Sequence, residues 1–200
     1  MPSPRAPKTL RQQLRLTRRA LTPQQQRTHS EGVAIELSRL KPFRNATRIG
    51  IYLAADGELD TAAILKISRS RRKDFHVPVL RRPRDRKLWF LPYDPTEPQR
   101  INRYGIPEPA LRNGRLRLAQ QMDLLLVPLV GFDARCHRIG MGGGYYDRTL
   151  SYLRYRHHWQ RPVLIGIAHE CQRVEQLEPN PWDVPLDLIV TEAAIYRRNR

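Results

Sequence analysis

Three short segments in the second half of the chain, residues 122–130, 163–168 and 186–190, are almost entirely apolar and rich in Val, Ile and Leu. A strand with one face in solvent alternates apolar and polar residues, so strands without alternation are buried on both faces, as in a parallel sheet. Helix-compatible segments lie between these runs. The sequence therefore predicts an α/β fold, a three-layer αβα domain with a mostly parallel central sheet and ligands at the carboxyl ends of its strands.

The first half of the chain fits the same alternation. We expect residues 1–7 to be a disordered tail and residues 8–200 to form a single domain. Helices are predicted over residues 8–21, from a cap at Thr22 to about Leu40, and from Asp60 onward. Strands are predicted over residues 48–53, 75–80 and 88–91. Residues 92–113 contain five prolines and are expected to form an irregular lid or substrate wall.

Between Arg138 and Arg148 the chain reads Arg-Ile-Gly-Met-Gly-Gly-Gly-Tyr-Tyr-Asp-Arg, with four glycines in five positions. Glycine permits positive φ and has no Cβ, so successive N–H groups can turn toward one anion. An apolar run ahead of the loop and a helix-compatible segment over residues 145–155 suggest the order strand, loop, helix, with the glycines at a helix N-terminus. The alternative interpretation is a turn that is merely tight or flexible.

The residues around these glycines point to a nucleoside triphosphate. No Lys-Ser or Lys-Thr follows, and no acidic residue lies about 20 positions further on, so neither the Walker A loop nor the dinucleotide fingerprint fits. Instead, two arginines bracket the loop and Asp147 offers the hard oxygen ligand that Mg²⁺ prefers. Cation, anion cradle and metal ligand within eleven residues fit a nucleoside triphosphate.

The net charge of +17 comes from 36 basic and 19 acidic side chains. Such a field attracts polyanions, so one rival hypothesis is a basic nucleic-acid-binding protein. However, the chain carries no nucleic-acid motif, and that hypothesis leaves Asp147 unexplained. We therefore expect weak polyanion affinity and no specific nucleic acid. A second rival is another α/β enzyme that acts on sugar phosphates or coenzyme A.

The sequence contains no run of 18 apolar residues and no apolar segment near its N-terminus that resembles a secretory signal. Cys136 and Cys171 lie far apart and lack metal-binding spacing, so they are expected to be reduced and structural. The expectations that follow are a cytoplasmic protein, no membrane association and a monomer.

The glycine motif, preceded by Val127-Pro-Leu-Val-Gly-Phe-Asp133, resembles the signature of the 5-formyltetrahydrofolate cyclo-ligase family, also called methenyltetrahydrofolate synthetase. Other segments match the family in order along most of the chain. They are Leu10-Arg11 followed by Arg-Arg-x-Leu, Tyr52-Leu53 before Asp56-Gly-Glu-Leu-Asp-Thr61, Gly105-Ile-Pro-Glu-Pro109, Gly166-Ile-Ala-His-Glu-Cys-Gln172, and Trp182-Asp-Val-Pro-Leu-Asp-Leu-Ile-Val-Thr191.

The resemblance implies an ATP- and Mg²⁺-dependent ligase of folate one-carbon metabolism. In the family's reaction the formyl oxygen on N5 is phosphorylated and N10 attacks. Loss of phosphate then leaves 5,10-methenyltetrahydrofolate and ADP. Because phosphoryl transfer depends mainly on positioning and charge neutralisation, backbone amides, arginines and Mg²⁺ suffice for it.

The resemblance also implies roles for particular residues. Catalysis is expected from Arg138, Tyr146 and Asp147. ATP binding is expected from Lys8, Arg11, Arg138, Ile139, Gly140, Met141, Gly142, Gly143, Gly144, Tyr145 and Tyr146. Folate binding is expected from Arg11, Leu53, Glu58, Tyr104, Met141, Gly142, Gly143, Gly144 and Tyr145. Two positions depart from the family pattern, since the family's lysine lies one place before Lys8, at Pro7, and Tyr104 replaces a tryptophan found in some members.

The expected Mg²⁺ ligands are Asp147 and Asp183, with Asp187 as the competing second ligand. Each candidate also has an ordinary structural interpretation. An aspartate that begins a helix is usually a cap or dipole partner, and one flanked by prolines is usually a turn residue. Similarly, Glu58 would cap a helix, Leu53 and the tyrosines would belong to the core, and Arg11 would lie on a solvated helix face.

Overall fold

The computed structural model describes residues 8–68, 72–80, 86–96, 99–101, 107–109, 116–155 and 161–199. The helices are α1 (Lys8–Arg19), α2 (Pro23–Arg39), α3 (Lys41–Asn45), α4 (Ala62–Ile67) and α5 (Tyr145–Thr149). The strands are β1 (Arg48–Gly50), β2 (Asp74–Val79), β3 (Trp89–Pro92), β4 (Gln99–Ile101), β5 (Pro107–Pro109), β6 (Leu124–Val127), β7 (Gly131–Phe132), β8 (Arg138–Ile139), β9 (Val163–Ile167), β10 (Leu188–Val190) and β11 (Ile195–Arg197). Short 3₁₀ turns occupy Ala119–Gln121, Ser151–Tyr155 and Glu170–Gln172.

Seven strands form the central sheet in the order β11-β10-β9-β6-β1-β2-β3. The pairs β1–β2, β1–β6, β6–β9 and β9–β10 are parallel, whereas the edge strands β3 and β11 run antiparallel to their neighbours. The apolar runs of the sequence are the buried strands β6, β9 and β10, which confirms the α/β class and the mostly parallel sheet. The antiparallel strand β11 was not expected, because its residues are only half-buried and its sequence does not stand out.

The two faces of the sheet are covered differently. Helices α2, α3 and α4 pack on one face through residues such as Leu37, Phe43 and Ile64. The other face is covered by short helical turns and loop residues such as Ala119, Leu150 and Leu186. The third layer is therefore present but thinner than a layer of long helices. Within the described residues, no helix has both the length and the apolar character needed to cross a membrane.

Helices α1 and α2 follow their sequence signals. The Thr22 hydroxyl accepts a hydrogen bond from the Gln25 amide at 3.2 Å, and the Gln25 side chain accepts one from the Thr22 amide at 2.9 Å. This reciprocal pair is the predicted capping box, and it sets the start of α2. Helix α1 packs through Leu14 against Val130, Ile139 and Leu177, which places its polar face beside the glycine motif.

The strand order creates a crevice between β1 and β6. From β1 the chain proceeds to β2 on one side, and it later returns to place β6 on the other side. The loops that leave the carboxyl ends of these two neighbouring strands therefore diverge, and ligands in open α/β sheets bind at such a point. The loop after β1 carries Leu53 and Glu58, and the loop after β6 begins at Pro128.

Several predicted strands and helices end earlier in the structure than the sequence indicated. The run predicted as one strand over residues 122–130 ends at Val127, and the antiparallel β7–β8 hairpin separates it from the glycines. The helix predicted over residues 145–155 is the five-residue α5 followed by a 3₁₀ turn. Because α5 is so short, its dipole contributes little to anion binding. Residues 92–113 include the antiparallel β4–β5 pair in their described part.

Candidate active site

Two cavities lie on either side of the glycine motif, and the smaller one opens where the loops after β1 and β6 diverge. Their volumes are about 1250 Å³ and about 590 Å³. Both are lined by Arg138, Gly140, Gly143, Gly144 and Asp147. A ligand in the larger cavity and a ligand in the smaller cavity would therefore contact each other at this motif. A group transfer between two substrates requires such an arrangement.

The wall of the larger cavity is mainly cationic. Basic side chains from four parts of the chain converge there: Arg11, Arg86, Lys87, Arg138, Arg148, Arg154 and Arg198. The carboxylates of Asp147 and Asp183 lie in the same wall. A cavity with many fixed cations and a few carboxylates suits a polyanion that binds together with a metal ion.

The glycines of the motif are required for two different reasons. Gly142 and Gly144 have φ of 97° and 61°, in the left-handed region that glycine tolerates best. Gly143 lies outside that region, but a Cβ there would be only 2.8 Å from the Tyr145 ring. The loop thus needs glycine for backbone conformation at two positions and for close approach at a third.

Two arginines hold the carbonyl groups of this loop. Arg11 Nε donates to the Gly140 oxygen at 2.8 Å, and Arg148 Nη2 donates to the Gly143 oxygen. Among the residues that the structure describes, the amides of Gly142, Gly143 and Gly144 donate no hydrogen bond. The loop therefore presents unpaired donors next to two positive charges, as an anion-binding nest does.

Arg138 and Asp147 form an ion pair in the wall between the cavities. Arg138 Nη2 lies 2.6 Å from Asp147 Oδ1, and the Arg138 side chain is only 6 % exposed. Arg138 Nε is buried and has no hydrogen-bond partner within the described part of the chain. A buried guanidinium that keeps a free donor is suited to a further anion.

The two candidates for a second metal ligand have different surroundings. Asp183 accepts hydrogen bonds at Oδ2 from the Asn180 amide at 2.8 Å and from its side chain at 3.1 Å, and it lines the larger cavity. Asp187 Oδ2 accepts a hydrogen bond from the Leu164 amide at 2.9 Å, near the start of β9. It lines neither cavity. Of the two, only Asp183 shares a wall with Asp147.

The smaller cavity has flat and apolar walls. Leu53, Met141, Tyr145 and Tyr146 line it, together with Glu58. Burial raises the pKa of the Tyr146 hydroxyl, and the nearby Glu58 charge raises it further, so this tyrosine keeps its proton. Six of the residues expected around the folate therefore line this cavity: Leu53, Glu58, Met141, Gly143, Gly144 and Tyr145.

The Glu58 carboxyl group lies in a tight turn after β1. Its Oε2 accepts a hydrogen bond from the Ala55 amide at 3.1 Å, and its Oε1 is 3.7 Å from Arg18 Nη2. Burial raises the pKa of Glu58, whereas the Arg18 charge opposes the shift. The remaining acceptor capacity of this carboxyl faces the smaller cavity.

A buried arginine network that the sequence analysis missed holds this turn. Arg18 is fully buried and donates to the Asp56 carboxylate, the Asp56 carbonyl and the Leu129 carbonyl at 2.9, 2.9 and 3.1 Å. Arg15 donates to the same carboxylate at 2.7 Å. Arg11, Arg15 and Arg18 lie four and three residues apart and so share one face of α1. This spacing is the feature of the sequence from which the arginine network could have been predicted.

For two expected residues the structure describes no side chain, and a third packs into the core. Tyr104 lies outside the described residues, and only the backbone of Lys8 is described. The Ile139 side chain packs into the core with Leu14, Val130 and Leu177. Ile139 therefore contributes its backbone, rather than its side chain, to the wall of the larger cavity.

Comparisons with known proteins show which family this chain resembles along most of its length. A model of the 5-formyltetrahydrofolate cyclo-ligase family matches residues 5–192. The 5-formyltetrahydrofolate cyclo-ligase of Escherichia coli strain K12 is 38 % identical over 92 % of this chain and 98 % of its own length. The Haemophilus influenzae enzyme of that name is 37 % identical over 90 % and 95 %. The NMR structure of Aquifex aeolicus 5,10-methenyltetrahydrofolate synthetase superposes with a TM-score of 0.78 at 26 % identity, over 95 % of this chain and 91 % of that one.

Proposed function

The chain belongs to the 5-formyltetrahydrofolate cyclo-ligase family, and on this basis we propose that it converts 5-formyltetrahydrofolate to 5,10-methenyltetrahydrofolate with ATP and Mg²⁺. The observation that carries the proposal is the shared wall between the two cavities. One cavity is cationic, the other is flat and largely apolar, and both end at Arg138, Gly140, Gly143, Gly144 and Asp147.

ATP occupies the larger cavity in this proposal. The unpaired amides of Gly142, Gly143 and Gly144 donate hydrogen bonds to the phosphate oxygens. Arg11 and Arg148, already fixed by loop carbonyls, neutralise phosphate charge, and the free Nε of Arg138 supplies a further donor. Such preorganised donors stabilise charge in phosphoryl transfer without rearranging during the reaction.

Asp147 and Asp183 fit a magnesium ion. Both line the larger cavity, and each uses one carboxylate oxygen for its described hydrogen bonds, which leaves the other oxygen for a cation. Mg²⁺ bound there supplies charge neutralisation at the phosphates. The Arg138–Asp147 pair keeps the Asp147 carboxylate oriented toward that wall.

The folate pterin occupies the smaller cavity. Tyr145 and Tyr146 offer flat faces, Leu53 and Met141 offer apolar contacts, and the Glu58 carboxyl accepts hydrogen bonds from pterin N–H groups. This position brings the N5 formyl group toward the glycine motif. The formyl oxygen and the ATP γ-phosphoryl group then meet at the shared wall.

The reaction proceeds in two steps. The formyl oxygen attacks the γ-phosphorus and the bond to the bridging oxygen breaks, which releases ADP and leaves a phosphorylated formyl group. N10 then attacks the formyl carbon, the carbon–oxygen bond breaks, and the N10 proton leaves with the departing phosphate. Exclusion of water from the cavity protects the phosphorylated intermediate from hydrolysis.

An absorbance assay for methenyltetrahydrofolate tests the proposal. Purified protein is freed of metal with EDTA and supplied with 5-formyltetrahydrofolate, with ATP and Mg²⁺ added singly or together. Product is expected only when both are present, because the formyl oxygen is a poor leaving group until it is phosphorylated. Product formation at an undiminished rate without ATP or without metal would overturn the mechanism.

A further inference from the structure

A second cluster of polar side chains lies outside both cavities, where α2 crosses the carboxyl ends of β9 and β10. His29 belongs to α2, His169 follows β9 and Glu192 follows β10. The Nδ1 atoms of the two histidines are 3.0 Å apart, and His29 Nδ1 is 3.3 Å from Glu192 Oε1. All three atoms lie within 4.8 Å of one another.

The two Nδ1 atoms and the Glu192 oxygen face one another with more lone pairs than the available protons can satisfy. A proton on His29 Nδ1 would have to be divided between the His169 nitrogen and the Glu192 carboxylate. A proton on His169 Nδ1 instead would leave the His29 lone pair facing that carboxylate. A cation at the centre would accept all three lone pairs at once.

The distances fit a transition metal. Bonds of about 2.0–2.1 Å in a tetrahedral site place ligand atoms roughly 3.3 Å apart. The two short separations in this cluster, 3.0 and 3.3 Å, are close to that value. Two imidazole nitrogens and one carboxylate suit Zn²⁺ and related ions, whereas Mg²⁺ prefers a set made of oxygen ligands.

A backbone amide orients one of the three ligands. The Glu170 amide lies 3.1 Å from each Glu192 carboxylate oxygen and so fixes the orientation of this carboxylate. The His169 side chain is fully buried, whereas those of His29 and Glu192 are about one-fifth exposed, which leaves a path for an ion. The nearby cation Arg18 is already paired with Asp56. Partners of this kind, one layer outside the ligands, are typical of built metal sites.

We propose that His29, His169 and Glu192 form a binding site for a transition metal of the zinc class, with water in the remaining coordination position. The metal ties α2 to the ends of β9 and β10. The site is separate from the Mg²⁺ assigned to Asp147, and it does not depend on the proposed enzymatic function.

Calorimetric titration of the EDTA-treated full-length protein with Zn²⁺, in excess Mg²⁺, tests this site. We expect wild type to bind one equivalent of Zn²⁺ and His29→Gln to bind it more than about tenfold more weakly. His137→Gln is the matched control, because His137 is another partly exposed histidine beside a carboxylate, that of Asp133. It should bind Zn²⁺ as wild type does.

Thermal unfolding provides the second measurement. Zn²⁺ should raise the melting temperature of wild type and His137→Gln, and it should not raise that of His29→Gln or Glu192→Gln. Melting curves without Zn²⁺ show that the variants are folded, and His29 is partly exposed, so its replacement is compatible with folding. Failure of wild type to bind Zn²⁺, or equal Zn²⁺ affinity in wild type and His29→Gln, would overturn the proposal.

Discussion

Replacement of Gly142 by alanine tests whether the glycine motif binds its ligand through backbone conformation. Gly142 has φ of 97°, and a Cβ there would lie 3.7 Å from Arg11 Nη1, an ordinary contact. The cost of Gly142→Ala is therefore conformational rather than steric, of order 1–3 kcal/mol. If the loop keeps its conformation, the free energy of unfolding falls by this amount. If the loop relaxes, ATP binds roughly 5- to 150-fold more weakly.

Gly140→Ala is the matched control. Gly140 does not have a positive φ, and its Cβ would lie 3.8 Å from Arg138 Nη1, nearly the same contact distance to an arginine. We expect ATP affinity within about twofold of wild type and a small gain in stability from the lower entropy of the unfolded chain. Calorimetric ATP titration and chemical denaturation of both variants give the two quantities.

Two outcomes would refute this reasoning. If Gly142→Ala leaves both ATP affinity and the free energy of unfolding unchanged, the positive φ of Gly142 contributes to neither. If Gly140→Ala weakens ATP binding as much as Gly142→Ala does, the motif requires space at the phosphates rather than a left-handed backbone.

Three further predictions concern charged and buried groups. Asp147→Asn should lower kcat far more than it changes the folate KM, and extra Mg²⁺ should partly restore kcat. Glu58→Gln should mainly raise the folate KM. Identical kinetic profiles for the two variants would contradict the assignment of Asp147 to the metal and Glu58 to the folate. Arg18→Met should lower the free energy of unfolding by about 1–3 kcal/mol, because the Leu129 and Asp56 carbonyls lose a buried donor while the Asp56 carboxylate keeps Arg15, whereas Arg39→Met on the exposed face of α2 should have little effect in the same denaturation experiment. Burial raises the pKa of the Cys136 thiol to about 11, so between pH 9 and 11 the unfolded chain loses this proton while the native state keeps it. Wild-type stability should therefore fall with rising pH by up to about 1.4 kcal/mol per pH unit more than that of Cys136→Ala, and parallel pH profiles would contradict the shift.

Local sequence signals predicted the fold class well because they report burial and chain direction. The non-alternating runs became the buried parallel strands β6, β9 and β10, and Thr22 caps α2 as its sequence indicates. Boundaries were less predictable. The β7–β8 hairpin interrupts the expected passage from strand to glycine loop, because Gly131 and Phe132 pair with Ile139 and Arg138 just ahead of the glycines.

The candidate site was predictable only in part. The glycine motif by itself predicts an anion-binding loop, since the chemistry of that loop is contained in eleven consecutive residues. The buried position of Arg18 was not anticipated, because its partner Asp56 is 38 residues away and charged residues on a helix are usually solvated. The choice between Asp183 and Asp187 also needed coordinates, because both lie in the same short motif.

The sequence by itself determined which segments are buried and which loop can wrap an anion, because periodicity and glycine content are local properties of the chain. Only the tertiary structure decided which loops meet. The position of β1 beside β6 splits the site into two cavities with one common wall, and the crossing of α2 over β9 and β10 brings His29 to His169 across 140 residues. Strand order depends on which buried surfaces pack together across the whole chain, and no local pattern encodes that choice.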